Sequence, residues 1–574
     1  MNRPAALLLL FALAPAARAA DPPPDPLRFV SQKAHFFLKV ERPRALAEAV
    51  TGLDAVKAAP GLGPVRDALD SPPVRRGLQL LGFVERELGA KWPTLLDQLA
   101  GGGAVVAGHF GEGDQPALLV IQGTSEPAAM KAFDLLVRAL DDELTRHGGQ
   151  DRVVRGTQAG ADTARLGKDF HAARIGAALL LSNRAESLAT ALAQPADRAG
   201  SLAAKPSVAA ARAALPADPF AWVWVDFATV RAGQTTRDFL EGSRNDFLPQ
   251  MAAGGTLNVL RQSDYVAVGL SREGAGFRLA VRMPAGRGSF PAGFELHSPP
   301  GAGPGSLPLL EPAGAVYSQS FYLDFGHAWA KRGDLFTNEM KGQLDKAEKD
   351  VSKVLPGSVK LGELLESWGP HHRLVVVNRA TQPYKTRPGQ VLPGFGYVAS
   401  ARDPKFVTGI SAALRSAGLL ASLQFGLKLV ESEHDGVKIA AWRFPENKVL
   451  ADDPDGLRFN FEPCFAVVGD SLIVASTVEV CQKLIPEVKR TADLPGAAAV
   501  WRAKGFAAGA AEVLAGAADP LITEAVLRTG VGLADARKQV EALTAWTRTL
   551  GTGRVEVDIG RDVYRVDAVW EPGR

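Results

Sequence analysis

The sequence repeats one order of strands, hairpins and helices, and this repeat limits the possible fold more than any other feature. Residues 321–325 (FYLDF), followed by a helical stretch, match residues 37–41 (FLKVE) and their helix, roughly 284 residues earlier. Val500-Trp501 matches Val223-Trp224 at a separation of roughly 277 residues. Five such landmarks keep one order at separations of roughly 277 to 293 residues, which chance similarity does not readily produce. We therefore predict two similar halves; a generic alternation of hairpins and helices is the alternative.

Within each half, hairpins dominate over strand–helix–strand crossovers. Residues 465–468 and 471–476 are apolar runs on either side of the turn Gly469-Asp470, and an equivalent pair of runs flanks Gly176. Apolar runs separated by short turns of this kind indicate antiparallel strands. We predict an α+β fold in which mainly antiparallel sheets have helices packed on one face.

The two halves are predicted to comprise residues 27–284 and residues 315–574. The segment between them, residues 285–314, is rich in glycine and proline and has no periodic apolar pattern. Such a composition is typical of a linker or of an irregular strap. We place the boundary between the halves in this segment.

The strand patterns also resemble those of a known family. Residues 36–40 (FFLKV), 118–121 (LLVI) and 179–182 (LLLS) have the pattern concerned. With them, residues 27–570 resemble exported bacterial proteins known only as a domain of unknown function, in which strand, helix and hairpin–helix units recur. The resemblance rests on patterning and includes no diagnostic motif. It implies export and a repeated architecture, and it transfers no catalytic residue.

The first residues are typical of a secretory signal peptide, which we predict to be residues 1–19. Arg3 precedes an apolar run over residues 5–14, and small residues end at Ala19. No cysteine near this site could carry a lipid anchor. The apolar run is shorter than the roughly 20 residues of a spanning helix, and no later segment reaches that length without charges, glycine or proline. We expect a periplasmic or extracellular protein without a transmembrane segment; tethering by an uncleaved signal is the alternative.

The composition is that of an ordinary globular protein. The chain has 574 residues, of which 46% are hydrophobic and 22% are charged. This length suffices for about two to four domains. The formal net charge is +3, and it falls to +1 without Arg3 and Arg18. A charge this small argues against a nucleic-acid partner.

The sequence has two cysteines, Cys464 and Cys481, with sixteen residues between them. In an oxidising compartment the two thiols could form a disulfide, which would stabilise the fold by about 3 kcal/mol. The alternative is a pair of buried thiols.

Two motifs suggest chemistry but lack the other residues that the chemistry needs. Gly469-Asp470-Ser471-Leu472 matches the opening block of one esterase class, but those enzymes have a histidine after the serine, and the last histidine here is His434. His371-His372 begins an apolar strand, where neighbouring side chains point to opposite faces, so one metal ion could not easily bind both. We therefore predict no catalytic residue, no metal site and no cofactor.

One long basic segment stands out from the repeat. Residues 379–394 contain Arg379, Tyr384, Lys385 and Arg387 and have no counterpart of that length in the first half. Long loops of this kind often bind partners, although a flexible surface loop is the ordinary alternative. We predict that these four residues contact a partner.

These observations favour a non-catalytic envelope protein that binds or scaffolds a protein, glycan or lipid. An extracytoplasmic hydrolase whose residues converge only in the fold is the first alternative. A structural coat or matrix component is the second.

Overall fold

The computed structural model describes residues 23–111, 115–146, 152–194, 198–242, 247–291, 293–301, 303–352, 360–448 and 452–573. The predicted signal peptide lies outside these residues. The strands are β1 (Phe36–Val40), β2 (Ala104–Gly108), β3 (Ala117–Gln122), β4 (Val154–Gln158), β5 (Ala161–Leu166), β6 (Phe170–Ile175), β7 (Ala178–Ser182), β8 (Ala221–Asp226), β9 (Tyr265–Glu273), β10 (Gly276–Met283), β11 (Ala315–Tyr322), β12 (Trp368–Val377), β13 (Gly394–Ala401), β14 (Lys428–His434), β15 (Val437–Arg443), β16 (Cys464–Val468), β17 (Ser471–Ala475), β18 (Trp501–Phe506), β19 (Thr552–Ile559) and β20 (Tyr564–Glu571).

Helices fill most of the intervals between these strands. They are α1 (Pro43–Thr51), α2 (Asp54–Ala58), α3 (Gly63–Leu69), α4 (Pro72–Leu88), α5 (Trp92–Ala100), α6 (Glu126–Arg146), α7 (Ala185–Ala193), α8 (Pro206–Ala214), α9 (Phe227–Ala232), α10 (Gln234–Gly242), α11 (Phe247–Gln262), α12 (Phe325–Ala330), α13 (Arg332–Leu335), α14 (Asn338–Ser352), α15 (Leu361–Ser367), α16 (Pro404–Phe425), α17 (Val478–Thr491), α18 (Ala507–Gly516), α19 (Ala518–Thr529) and α20 (Leu533–Thr549). The α+β prediction is confirmed.

The chain divides into two compact units. Of the described residues, those within 23–32, 85–106 and 116–203 form unit 1, and those within 33–84, 107–115 and 204–573 form unit 2. In unit 1 the strands pair antiparallel in the order β4-β5-β6-β7-β3. Phe133 and Val137 of α6 pack against Ala164 and Ala172 of this sheet.

Unit 2 contains a larger antiparallel sheet. Its order is β1-β8-β9-β10-β20-β19-β18-β11-β12-β13-β17-β16-β15-β14. Strands β9 and β10 end the predicted first half, and β19 and β20 end the second. Because β10 pairs with β20, the ends of both predicted halves lie in one unit, and the units cut across the predicted halves.

The pairings of the first ten strands recur among the last ten. In unit 1, β3 pairs with β7, and β4, β5, β6 and β7 pair in sequence. The same pairings occur for β13 with β17 and along β14, β15, β16 and β17. Likewise β1-β8-β9-β10 is matched by β11-β18-β19-β20.

Glycines at the predicted hairpin turns have left-handed backbone conformations. Gly176, between β6 and β7, has φ +55°, and Gly469, between β16 and β17, has φ +57°. Glycine adopts this conformation without the penalty that a Cβ atom brings. Strands β16 and β17 pair antiparallel on either side of Gly469-Asp470, which confirms the hairpin interpretation.

The described residues of the segment 285–314 form a strap that packs against unit 2. Phe294 and Leu296 lie in one apolar cluster of unit 2, and Leu310 is completely buried in another. Gly305 N donates to the carbonyl of Ala497 at 2.7 Å. These apolar residues bury against the unit and hold the segment in place.

Helix α16 packs one face on the sheet and leaves much of its surface exposed. Val407, Ile410 and Leu414 contact the apolar cluster that includes Trp442. Helix α16 has 22 residues, and an 18-residue window within it has a mean hydropathy of 1.4, so it is long and apolar enough to cross a membrane by length and composition. The segment contains Lys405, Arg415, Gly409 and Gly418, the kinds of residue on which the sequence analysis discounted spanning segments.

Candidate functional site

A cavity of about 480 Å³ lies in unit 2 where β12 and β17 begin and β13 ends. We call it the Arg373 cavity. Its lining also includes the β16–β17 turn, the last turn of α17 and the strap; the lining residues are Leu307, Gly369, Pro370, His371, Arg373, Ser400, Ala401, Arg402, Val468, Gly469, Asp470, Ser471, Val488, Lys489, Thr491 and Ala492. Polar residues from segments far apart in sequence thus meet at one edge of the sheet.

Strand alternation explains how an arginine comes to be buried here. Arg373, Val375 and Val377 alternate along β12 and therefore share one face. Val375 and Val377 are fully buried in the cluster formed with Leu484 and other residues of α17. Arg373 lies on this face two residues before Val375, where the apolar layer ends and the cavity begins.

The Arg373 side chain is buried but has little to neutralise it. Its residue is 4% exposed, and Nη1 donates to Thr491 Oγ1 at 3.0 Å. Within the described part of the chain no carboxylate forms an ion pair with this guanidinium. Burial lowers the pKa of Arg373 to about 10, and the charge of Asp470 opposes that shift. The group therefore remains protonated at neutral pH.

Two further cations and one carboxylate line the cavity. Arg402 Nη2 forms an ion pair with Asp324 Oδ2 at 2.7 Å. Lys489 is exposed near the end of α17, and its Nζ donates to the carbonyl of Asp435 at 2.7 Å. Of the lining residues, Asp470 is the one that carries a negative charge. The lining is therefore cationic on balance.

The cavity brings together residues of both motifs that suggest chemistry, but they are not hydrogen-bonded as nucleophile and base. Ser471 Oγ donates to Asp470 Oδ1 at 3.2 Å. His371 Nε2 lies 3.0 Å from the carbonyl of Pro304, which requires that this nitrogen carries the proton. Ser400 Oγ donates to the carbonyl of His371 at 3.2 Å and accepts from the backbone N–H of His371 at 3.3 Å. Burial lowers the pKa of His371.

His372 points to the other face of β12, as predicted for neighbouring strand residues. It is completely buried, its Nδ1 lies 2.6 Å from Tyr397 Oη, and its Nε2 lies 2.9 Å from the carbonyl of Leu323. Burial lowers the pKa of His372 to about 4. In the described ranges, no three His, Cys, Asp or Glu side chains cluster as metal ligands would.

The structure separates the four residues of the predicted partner loop into two pairs. Arg379 donates to the carbonyls of Leu392 and Asn460, and Tyr384 is buried with its hydroxyl donating to Phe461 O at 2.9 Å. These two side chains hold the loop against the protein. Their hydrogen bonds and burial leave them poorly placed to meet a partner.

Lys385 and Arg387 are exposed on the same loop. The partner-contact prediction therefore rests on these two residues and stays a prediction.

Cys464 and Cys481 are free, buried thiols in one apolar cluster. Cys464 Sγ donates to the carbonyl of Ala475 at 3.7 Å, and the neighbouring Cys481 together with burial raises the pKa of the Cys464 thiol. A disulfide between them stays a prediction.

No protein-family model and no curated protein matches the chain. Among solved structures, crystal form I of TP0453 matches at 11% identity, covering 46% of this chain and 80% of that chain, with a TM-score of 0.22. Crystal form III of TP0453 matches at 9% identity, covering 47% and 84%, with the same TM-score. A likeness at this TM-score carries no argument about function.

Sequence reasoning missed Arg373, the most buried cation of the cavity. The sequence contained one signal. Arg373 alternates with Val375 and Val377 in an apolar run, so strand geometry places its charge on a face that is otherwise buried. A charge at such a position needs a partner or a ligand.

Proposed function

We propose that this is an exported, non-catalytic binding protein and that the Arg373 cavity is its ligand site. The observation that carries the proposal is a cavity of about 480 Å³ into which buried and partly buried donors converge. This volume lies within the range of small-molecule sites, which is about 300–1,000 Å³.

The hydrogen bonds around the cavity favour binding over catalysis. A serine nucleophile needs a base that accepts its proton. Here Ser471 Oγ donates to the neighbouring Asp470 and not to His371, whose Nε2–H donates to Pro304 O. The guanidinium of Arg373 instead faces the cavity with one hydrogen bond, to Thr491, and is placed to donate to a guest.

The tandem arrangement is part of the proposal, and it gives the two halves different roles. Ser400 pairs with Ser471 at the cavity, and at the corresponding point of unit 1 Gln122 pairs with Ala178. The recurring strand pairings support descent from one duplicated unit. On this proposal only the second copy acquired the polar lining, and the first contributes to the scaffold.

Export is supported by the signal-like first residues and is tested by the mature amino terminus. N-terminal sequencing of the protein from its own cells should begin at Ala20, because cleavage is expected after Ala19. A protein that still begins at Met1 and stays in the cytoplasm would contradict export.

Native mass spectrometry of the protein, purified gently from its own cell envelope, tests the binding proposal. We expect a retained small molecule, and we expect Ala492→Trp to lose it because Ala492 is an exposed residue of the cavity lining. The matched control is Ala515→Trp, which changes an exposed alanine near the end of α18 and should retain the ligand.

Two results would contradict the proposal. One is a bare protein together with turnover of ester or amide substrates that Ser471→Ala abolishes, which would favour the hydrolase alternative. The other is a ligand that Ala492→Trp and Ala515→Trp retain equally, which would place the ligand site elsewhere.

A further inference from the structure

The Arg373 guanidinium is charged, buried and incompletely satisfied. Its described contacts are one hydrogen bond to Thr491 and a place in the wall of the cavity. Removing an ionised group from water costs several kcal/mol unless it is paired. An arginine has five N–H donors in a planar fork, so most of its donors remain available to the cavity.

The groups around Arg373 would also favour the binding of a negatively charged guest. Lys489 lies at the cavity as a second cation, and the hydroxyls of Ser400 and Ser471 line it. Hydroxyls can rotate to donate to an oxyanion. Asp470 is the unfavourable neighbour, and it would lose the hydrogen bond from Ser471 if that hydroxyl turned to the guest.

The wall is not polar throughout. Leu307, Pro370, Val468 and Val488 also line the cavity. A volume of about 480 Å³ exceeds what a bare phosphate or carboxylate needs, so a guest that fills it has an apolar body as well.

We propose that the Arg373 cavity binds a small organic anion whose phosphate or carboxylate group receives hydrogen bonds from Arg373, with its apolar part against Leu307, Pro370, Val468 and Val488. This rests on the proposed binding function and deepens it. Arginine suits both oxyanions because its fork matches two oxygen atoms at once.

The test is titration calorimetry of the mature protein with three probes: phenyl phosphate, benzoate and neutral benzyl alcohol. We expect the protein to bind at least one of the two anions and to bind benzyl alcohol more weakly. Stronger binding of phenyl phosphate would identify a phosphate ligand, and stronger binding of benzoate a carboxylate ligand.

Variants separate Arg373 from general electrostatics. Arg373→Met should weaken anion binding by about 10- to 100-fold, the effect of one charge-assisted hydrogen-bonding group. Arg554→Met removes an exposed arginine from β19 of the same sheet and should leave binding unchanged. If Arg373→Met does not fold, Lys489→Glu at the exposed end of α17 should still weaken binding several-fold.

Stability distinguishes a ligand-binding arginine from a purely structural one. Without ligand, Arg373→Met should not lower the urea midpoint, because methionine removes an uncompensated buried charge. Saturating anion should raise the midpoint of the unchanged protein and not that of the variant.

The outcomes also separate this inference from the proposed function. If a neutral molecule is retained from the cell envelope and is lost in Ala492→Trp, the binding function stands and the inference that the ligand is an anion is overturned. Failure of both anions to bind, or equal binding with and without Arg373, would overturn the inference directly.

Discussion

Two consecutive residues of β12 show two ways of burying an ionisable group. His372 is neutral, and its ring nitrogens contact Tyr397 and the carbonyl of Leu323. Arg373 cannot lose its proton at neutral pH, and it faces the cavity. The histidine is thereby satisfied inside the protein, whereas the arginine needs something from outside.

The burial of His372 predicts a loss of stability in mild acid. Its pKa is about 4 in the folded protein, against an ordinary value of 6.5, so the unfolded chain binds the proton more readily. The stabilisation is fully present above about pH 6.5, and about 3 kcal/mol is lost as the pH falls to 4. Urea unfolding at pH 7 and pH 4.5 measures this difference.

The matched variants are His372→Asn and His434→Asn. His372→Asn should reduce the difference between the two pH values, although buried His297 still contributes to it. His434 lies partly exposed on the edge strand β14, and its replacement should leave the difference unchanged. Equal pH dependence in both variants would contradict the assignment to His372.

At the scale of single elements, glycine positions decide how closely α16 approaches the sheet. A Cβ atom on Gly418 would lie 2.1 Å from Cε2 of Trp442, which is closer than any real contact. Gly342, in the interior of α14, has no atom within 4 Å of the same position. Both glycines are helical, but only Gly418 of the two is packed against a neighbouring side chain.

Alanine should have opposite effects at these two glycines. Gly418→Ala should destabilise the protein by about 1–3 kcal/mol, because the added methyl forces the helix away from Trp442. Gly342→Ala should stabilise it by about 1 kcal/mol through helix propensity. Urea unfolding monitored by circular dichroism measures both, and a neutral Gly418→Ala would show that α16 does not pack on Trp442 in solution.

The long loop after β12 allows a similar comparison of two arginines. Arg379→Met should destabilise the protein by about 2 kcal/mol, because it removes hydrogen bonds to Leu392 and Asn460. Arg387→Met changes an exposed side chain and should stay within about 0.5 kcal/mol. Thermal unfolding measures both variants, and equal effects would mean that Arg379 does not anchor the loop.

At the scale of the whole molecule, the pairing of β10 with β20 joins the ends of the two predicted halves. Asp567 accepts from Arg278 at 3.0 Å and from Arg282 at 2.8 Å across this pairing. Burial raises the pKa of Asp567, but these hydrogen bonds outweigh it and hold the pKa below its ordinary value. One carboxylate thus forms ion pairs with two arginines of the neighbouring strand.

Removing this charge should weaken unit 2. Asp567→Asn should cost about 2 kcal/mol, because Arg282 is 7% exposed at its side chain and would lose its ionic partner. Asp558→Asn is the control: its contact with Arg565 is 3.5 Å long and more exposed, so a change within about 0.5 kcal/mol is expected. Chemical denaturation measures both, and equal losses would contradict a special role for Asp567.

By itself the sequence determined the local elements and their order. The apolar runs and the turn at Gly469 depend on residues a few positions apart, and the sequence analysis predicted both. The α+β class follows from them. The opposite orientations of His371 and His372 follow from strand geometry alone.

Only the tertiary structure decided what lies next to what. Arg373 and Thr491 are 118 positions apart, yet they form one wall of the cavity. The packing of the strap, the inward Arg379 and Tyr384, and the pairing of β10 with β20 likewise depend on contacts between distant segments. Local propensity carries no information about such contacts, because burial and ion pairing are set by whichever surfaces meet in the folded chain.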